Sequence, residues 1–259
     1  MSVSAVAVVT GAGSGIGLAA VRLYAERGYG VVAVDVNPGG LAELEKIGNV
    51  VALRGDVAEE KTNEEFVSVA LERFGRLDAV VLNAGFGGAG PLESPGAIDR
   101  FDRIVAVNLR GVVLGVKAAL PAFRAAGGGA VVATSSVSGL AGDPGTWAYN
   151  AAKAGVVNLV RGLAIDYAVE NIRINAIAPG GTATALTQGV IAHPELGPAV
   201  TRRIPLQRWA EPREQAEAAF FLTSPAASYI TGVTLPVDGG LSANGGILLP
   251  PAFPGDAPH

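Results

Sequence analysis

The 259-residue chain contains no cysteine, which excludes disulfides, zinc–thiolate centres and thiol nucleophiles. Histidine is nearly absent as well. Only His193 and His259 occur, neither beside a carboxylate cluster, and no metal site is expected. Charge is sparse, at 16% of residues, and lysine occurs only at Lys46, Lys61, Lys117 and Lys153. A net charge of −4 gives no electrostatic reason to expect nucleic acid or an anionic membrane as a partner. The first apolar run has no basic residues before it and is too short for a signal peptide or a span. No later run of consecutive apolar residues reaches membrane length, so a cytoplasmic protein is expected.

Glycine, at 36 copies, and hydrophobic residues, at 49%, are abundant. The length suits one α/β domain over residues 1–259. Short runs rich in Val, Ile and Ala at 5–9, 31–35, 50–54, 79–82, 130–134, 173–178 and 233–237 read as strands. They are apolar on both faces, as a parallel sheet covered on both sides requires. Helical patterns lie between them at 17–27, 60–74, 95–107, 111–126, 149–170 and 212–222. This alternation predicts a Rossmann-like, doubly wound, mostly parallel seven-stranded sheet with helices on both faces. No repeat or linker divides the chain. Residues 183–208, long and mixed in character, read as a substrate loop. The Gly- and Pro-rich tail, 241–259, carries Ile247, Leu248, Leu249 and Phe253; a docked segment and a frayed end both fit it.

Tyr149 and Lys153 are four residues apart, on one face of a helix. A phenol beside an ammonium can exchange a proton nearer neutral pH than free tyrosine, whose pKa is about 10. Such a pair can interconvert an alcohol and a carbonyl if a hydride carrier binds next to it. The run Thr10-Gly11-Ala12-Gly13-Ser14-Gly15-Ile16-Gly17 joins the first strand to the first helix. Its glycines allow a sharp turn close to a pyrophosphate, and the helix N-terminus offers free N–H groups to it. Gly11, Ser14, Gly15 and Ile16 are its candidate contacts. Asp35 ends the second strand, where a carboxylate accepts from an adenosine ribose and repels a 2′-phosphate. Ser14, Val36 and Asn37 offer no positive charge to such a phosphate. The expected cofactor is therefore NAD.

The chain resembles the short-chain dehydrogenase/reductase family over nearly its whole length. The matching pieces, in order, are Thr10-Gly11-x-x-x-Gly15-Ile16-Gly17, Asp56-Val57, Asn83-Ala84-Gly85, Asn108, Ser136, Tyr149-x-x-x-Lys153, Pro179-Gly180, Ile230-Thr231-Gly232 and Val237-Asp238-Gly239-Gly240. The resemblance implies that Asp56 and Val57 meet the adenine and that Asn83, Ala84 and Gly85 wall the middle of the cofactor. Pro179 and Gly180 would flank the nicotinamide. Where the family places Val or Ile before a threonine, this chain has Thr182 before Ala183-Thr184, and either hydroxyl can serve as the contact. Tyr149 would be the general acid/base, its phenolate favoured by Lys153 and the nicotinamide charge. Lys153 would also bond the ribose. Ser136 would hold the substrate oxygen, and Asn108 would hold a water that links Lys153 to solvent.

These roles predict an NAD-dependent oxidoreductase acting on a neutral small-molecule secondary alcohol or ketone. Phe86, Gly87, Ser138, Leu140 and Trp147 are the expected pocket residues. The alternatives are a 3-oxoacyl-thioester reductase and a catalytically silent NAD-binding regulatory protein. A serine hydrolase is disfavoured, since no histidine is placed to activate Ser136. His193, Arg202, Arg203 and Arg208 read as surface. Helices 111–126 and 149–170 carry more apolar positions than one buried face needs, and the family commonly pairs such helices across subunits. A homotetramer is expected.

Overall fold

The computed structural model describes residues 3–88 and 90–245. Seven strands form: β1 (Val6–Thr10), β2 (Gly30–Asp35), β3 (Val50–Arg54), β4 (Ala79–Leu82), β5 (Gly129–Thr134), β6 (Ile172–Pro179) and β7 (Thr234–Val237). Their order in the sheet is β3-β2-β1-β4-β5-β6-β7, and every pairing is parallel. The central strands β1 and β4 are buried throughout, while the edge strands β3 and β7 are partly open. Two-sided burial is why the central segments carry uninterrupted apolar residues instead of alternating ones.

The helices are α1 (Gly15–Glu26), α2 (Pro38–Leu44), α3 (Glu60–Phe74), α4 (Ala97–Val105), α5 (Gly111–Ala126), α6 (Trp147–Tyr167), α7 (Gln188–Ile191), α8 (Leu196–Arg203) and α9 (Pro212–Thr223). On one face of the sheet Phe66 of α3, Phe123 of α5 and Val160 of α6 share a core with Val8 and Val131. On the other, Tyr24 of α1, Leu44 of α2 and Leu222 of α9 pack on Val9 and Val81. This is the doubly wound arrangement expected. The connections run outward in opposite directions from β1 and β4, which are neighbours in the sheet. That divergence opens a crevice at their C-terminal ends, where open α/β sheets bind ligands.

The structure adds three things that periodicity did not show. Helix α2 is short and glycine-rich, but Pro38 opens it and Asn37 Oδ1 caps the Gly39 N–H at 3.0 Å. Helices α4 and α5 do not separate; residues Ala106–Arg110 join them through a π-helical turn. The resulting helix, Ala97–Ala126, is the one described helix long and apolar enough to cross a membrane, and half of its apolar window is buried inside the protein. Residues 183–208 hold α7 and α8 instead of an irregular loop. A parallel bridge between Thr182 and Ala210 pins the base of this excursion. Within the tail, Ile247, Leu248, Leu249, Phe253 and His259 lie outside the described residues.

Candidate active site

The turn after β1 depends on close backbone approach. Gly11 and Gly15 adopt φ of 66° and 51°, a region that side chains disfavour. A β-carbon on Gly17 would stand 2.0 Å from the Gly11 carbonyl oxygen, and one on Gly40 would stand 2.2 Å from that of Gly13. The turn is thus clamped between α1 and α2. Asp35 Oδ2 accepts the Gly13 N–H at 2.8 Å, and Oδ1 accepts that of Asn37 at 2.8 Å. Asn83 Nδ2 donates to the Thr10 carbonyl at 3.1 Å, and Thr134 Oγ1 donates to Asn83 Oδ1 at 3.3 Å. Asn83 therefore ties β1, β4 and β5 together beneath the turn. Ser14 is exposed at the N-cap of α1, its side chain making no capping bond, and no acid occupies the helix's first turn. The α1 N-terminus is free to meet an anion.

Other predicted contacts fall around this turn with uneven fit. Thr184 faces it, since a β-carbon on Gly15 would lie 3.2 Å from Thr184 Cγ2. Thr182 is buried; its hydroxyl donates to the Gly180 carbonyl at 3.1 Å and accepts from Gln215 at 3.2 Å. Ile16 is half-buried. Asp56 is exposed at the end of β3, with Oδ1 capping the Ala58 N–H at 2.9 Å. Val57 is buried against Gly111 at the start of α5. Ala84 packs over Gly11. Pro179 ends β6 beside Val237, and Gly180 passes so close to Asp238 that a β-carbon would meet its Cα at 2.7 Å.

The proton-handling residues converge at the end of β5. Ser136 follows β5, and α6 brings Tyr149 and Lys153 to it; Tyr149 and Ser136 are hydrogen-bonded. Lys153 is buried, its Nζ 5.5 Å from the centre of the Tyr149 ring. That Nζ donates to the Thr134 carbonyl at 2.7 Å, while Ser135 Oγ donates to the Lys153 carbonyl at 2.9 Å. Asn108 sits in the π-helical turn, where Nδ2 donates to the Ile104 and Phe86 carbonyls, each at 3.0 Å. Its Oδ1 is buried without a partner among the described residues. A β-carbon on Gly85 would lie 2.3 Å from that oxygen and 3.2 Å from Lys153 Nζ. The absence of a side chain at Gly85 therefore leaves Asn108 Oδ1 and Lys153 Nζ facing one small polar space.

The electrostatics of the protein without cofactor bear on one expectation. The Tyr149 phenol lies above its ordinary pKa, not below it: burial raises it most, the Ser136 hydrogen bond lowers it, and the Asp143 charge raises it. Burial also depresses Lys153, from 10.5 to about 8. In the protein alone desolvation outweighs the Ser136 hydrogen bond, and the neutral phenol is favoured.

Sequence reasoning missed Asp143, whose carboxylate accepts from the Ser138 hydroxyl, and it missed Arg100 and Arg103. These two arginines, with Phe86, Gly87 and Ile104, wall an open cavity of about 500 Å³. Nothing in residue spacing marks an arginine as lining a cavity. Trp147 braces the loop before α4, donating to the Gly90 carbonyl at 3.0 Å and stacking on Phe101. Leu140 is exposed after Ser138. His193 is exposed, and its Nδ1 accepts the Glu195 and Leu196 N–H groups at 3.2 Å each. Arg208 pairs with Glu214 on the surface.

Comparison with known proteins agrees with this fold. Residues 11–242 match the family model described as enoyl-(acyl carrier protein) reductase. The chain is 43% identical over 244 residues to cis-4-hydroxycyclohexanecarboxylate dehydrogenase of Sinomonas cyclohexanicum, covering 92% of this chain and 96% of that one. The crystal structure of levodione reductase superposes with a TM-score of 0.86 at 39% identity, covering 94% of this chain and 99% of that one. The 3-ketoacyl-(acyl-carrier-protein) reductase from Brucella melitensis, solved in complex with NADH, gives 0.84 at 36% identity, covering 93% and 100%.

The buried lysine has a measurable signature in the cofactor-free protein. Between pH of about 8 and 10.5 the unfolded chain holds a proton on Lys153 that the folded chain has shed. Stability contributed by this group therefore rises with pH across that window and is lost as pH falls through about 8. Lys153→Met removes the effect. The stability difference between variant and wild type, from urea unfolding, should change by about 3 kcal/mol in favour of wild type between neutral pH and pH 10.5. A difference independent of pH would contradict the depressed lysine.

Proposed function

The chain belongs to the short-chain dehydrogenase/reductase family, and within it we propose an NAD-dependent enzyme that interconverts a neutral secondary alcohol and its ketone, with Tyr149 as general acid/base. It is an oxidoreductase of CH–OH groups using a nicotinamide cofactor. The observation that carries the finer reading is the convergence of Ser136, Tyr149, Lys153 and Asn108 at the β5 end of the crevice that holds the glycine turn. When bound, the nicotinamide supplies the hydride acceptor and a positive charge beside Tyr149. In the oxidative direction Tyr149 takes the proton of the alcohol, and Ser136 donates to the oxygen as charge develops on it. Lys153 supports the phenolate and bonds the ribose. The free Asn108 Oδ1 and Lys153 Nζ favour a water between them, through which the proton leaves.

Asp35 supports NAD over NADP. Its carboxylate is fixed by two backbone N–H groups at the mouth of the glycine turn and still has lone pairs for ribose hydroxyls. Thr184, not the buried and already bonded Thr182, is the threonine contact we assign, because it faces Gly15. Gly11, Ser14, Gly15 and Ile16 cradle the pyrophosphate, Asp56 and Val57 border the adenine, and Ala84, Gly85, Pro179 and Gly180 line the remainder. Val57 serves through its backbone, since its side chain is committed to α5. A neutral substrate fits Phe86, Gly87 and Leu140 near the reacting groups, and the Asp143 charge disfavours an anion at the carbinol. We place the enzyme in the cytoplasm as a homotetramer. Val113 of α5 and Ile165 of α6 are exposed, the latter at 78%, as a helix-paired interface requires.

Tyr149→Phe should retain NAD binding and lose about a thousandfold in kcat, read as NADH formation across a panel of secondary alcohols. Wild-type activity in that variant would remove Tyr149 from the reaction, and silence of the wild type across the panel would favour a regulatory NAD-binding protein. Asp35→Asn keeps an acceptor for the Gly13 N–H and loses the charge. The ratio of kcat/KM for NAD to that for NADP should then fall by about tenfold; an unchanged ratio contradicts the ribose assignment. Light scattering coupled to size exclusion should give four times the 26.0 kDa chain mass, and a monomer would reject the assembly.

A further inference from the structure

One carboxylate stands beside the Tyr149–Ser136 pair without a place in the reaction above. Asp143 lies in the turn before α6. Its backbone carbonyl accepts from Asn150 Nδ2 at 2.8 Å, with the Thr146 hydroxyl at 3.2 Å from the same oxygen. The start of the helix that carries Tyr149 thereby fixes where this carboxylate stands. Asp143 Oδ2 accepts from the Ser138 hydroxyl. Ser138 is buried, and its Oγ lies 3.2 Å from Ser136 Oγ while its backbone N–H donates to Ser136 Oγ at 3.1 Å.

A hydroxyl has one proton, and an ionised carboxylate can only accept. Ser138 must therefore spend its proton on Asp143 and turn a lone pair toward Ser136. The Ser136 oxygen is held by the Ser138 N–H, and its own proton is directed either to Ser138 Oγ or to a reacting oxygen. Without Asp143, the Ser138 proton is free to turn onto Ser136 and compete for the lone pair that faces Tyr149. We propose that Asp143 is a positioning residue for the alcohol–ketone reaction: through Ser138 it sets the direction in which the Ser136 hydroxyl donates. This rests on the assignment of Ser136 and Tyr149 to the reaction.

The same carboxylate also raises the Tyr149 pKa. Of charged groups, Lys153 faces Tyr149 from its own helix and Asp143 from the preceding turn; the end of β5 and the loop after β4 bring Ser136 and Gly87. Geometry and charge can then be separated. The experiment is kcat for alcohol oxidation against pH in Asp143→Ala, Asp143→Asn and Ser138→Ala, with Ser136→Ala as reference and thermal melting as a check on folding. Asp143→Ala should lose about tenfold in kcat, the scale of one hydrogen bond to a charged group. Asp143→Asn, which restores an acceptor, should recover most of that loss. Both should move the rise of oxidation with pH to lower pH, because removing the negative charge favours the phenolate. Ser138→Ala, which takes away the hydroxyl that would compete, should lose less kcat than Asp143→Ala and leave the pH profile in place. A loss as large as that of Asp143→Ala would contradict the proposal, and the displacement in Asp143→Asn carries the test if Asp143→Ala melts early. Wild-type kcat and pH profile in Asp143→Ala would overturn the proposal, as would an Asn variant no better than Ala with an unmoved profile. If Ser136→Ala itself keeps full turnover, the assignment of the site fails rather than the positioning role alone.

Discussion

The site is organised around a charge buried away from bulk solvent. Lys153 is buried on the inner face of α6, with the Thr134 carbonyl, at 2.7 Å, as its one hydrogen-bond acceptor among the described residues. Burial of an ammonium is unfavourable, and the cost appears as a pKa drawn down to about 8. What the arrangement gains is position. The same bond draws α6 against the end of β5, so Tyr149, one turn earlier, meets Ser136. Gly85 and the π-helical turn then leave room for Asn108 to face the same space. A surface lysine would be better solvated and would position nothing.

A second constraint fixes the glycine turn, the proposed cofactor cradle, relative to that charge. Gly17 against Gly11, Gly40 against Gly13 and Asn83 beneath Thr10 leave the turn after β1 one conformation. Asp35 is part of the clamp as well as the candidate ribose acceptor, so cofactor choice and turn geometry share a residue. The phenol of Tyr149 is held above its ordinary pKa chiefly by burial. In the proposed reaction the positive nicotinamide would act against that burial, so Tyr149 as acid/base would respond to the oxidised cofactor.

The sheet was legible because two-sided burial writes itself as unbroken Val, Ile and Ala in the central strands. The helices α3 and α5 were legible to the residue because their faces are long and periodic. Helix α2 was hidden by Gly39 and Gly40, which lower helix propensity but are required where α2 meets the turn. The junction at Ala106–Arg110 was hidden because a π-turn changes the hydrogen-bond register without changing composition. Among site residues, Tyr149, Lys153 and Ser136 were marked by spacing, and the structure brings them together. Asp143 carried no such mark: its link to Ser136 runs through Ser138 and exists only once the turn before α6 has folded. The direction of the Tyr149 shift also needed the structure, since desolvation is a property of burial and not of the Tyr–Lys spacing.

The central claim is that Tyr149 stays protonated in the protein alone and ionises under the influence of the oxidised cofactor. Its phenolate absorbance in the near ultraviolet, taken as the difference between wild type and Tyr149→Phe, measures this directly as a pH titration with and without saturating NAD. The account predicts a midpoint above 10.0 without NAD and a distinctly lower one with it. Coincident midpoints, or a cofactor-free midpoint already near neutrality, would contradict it.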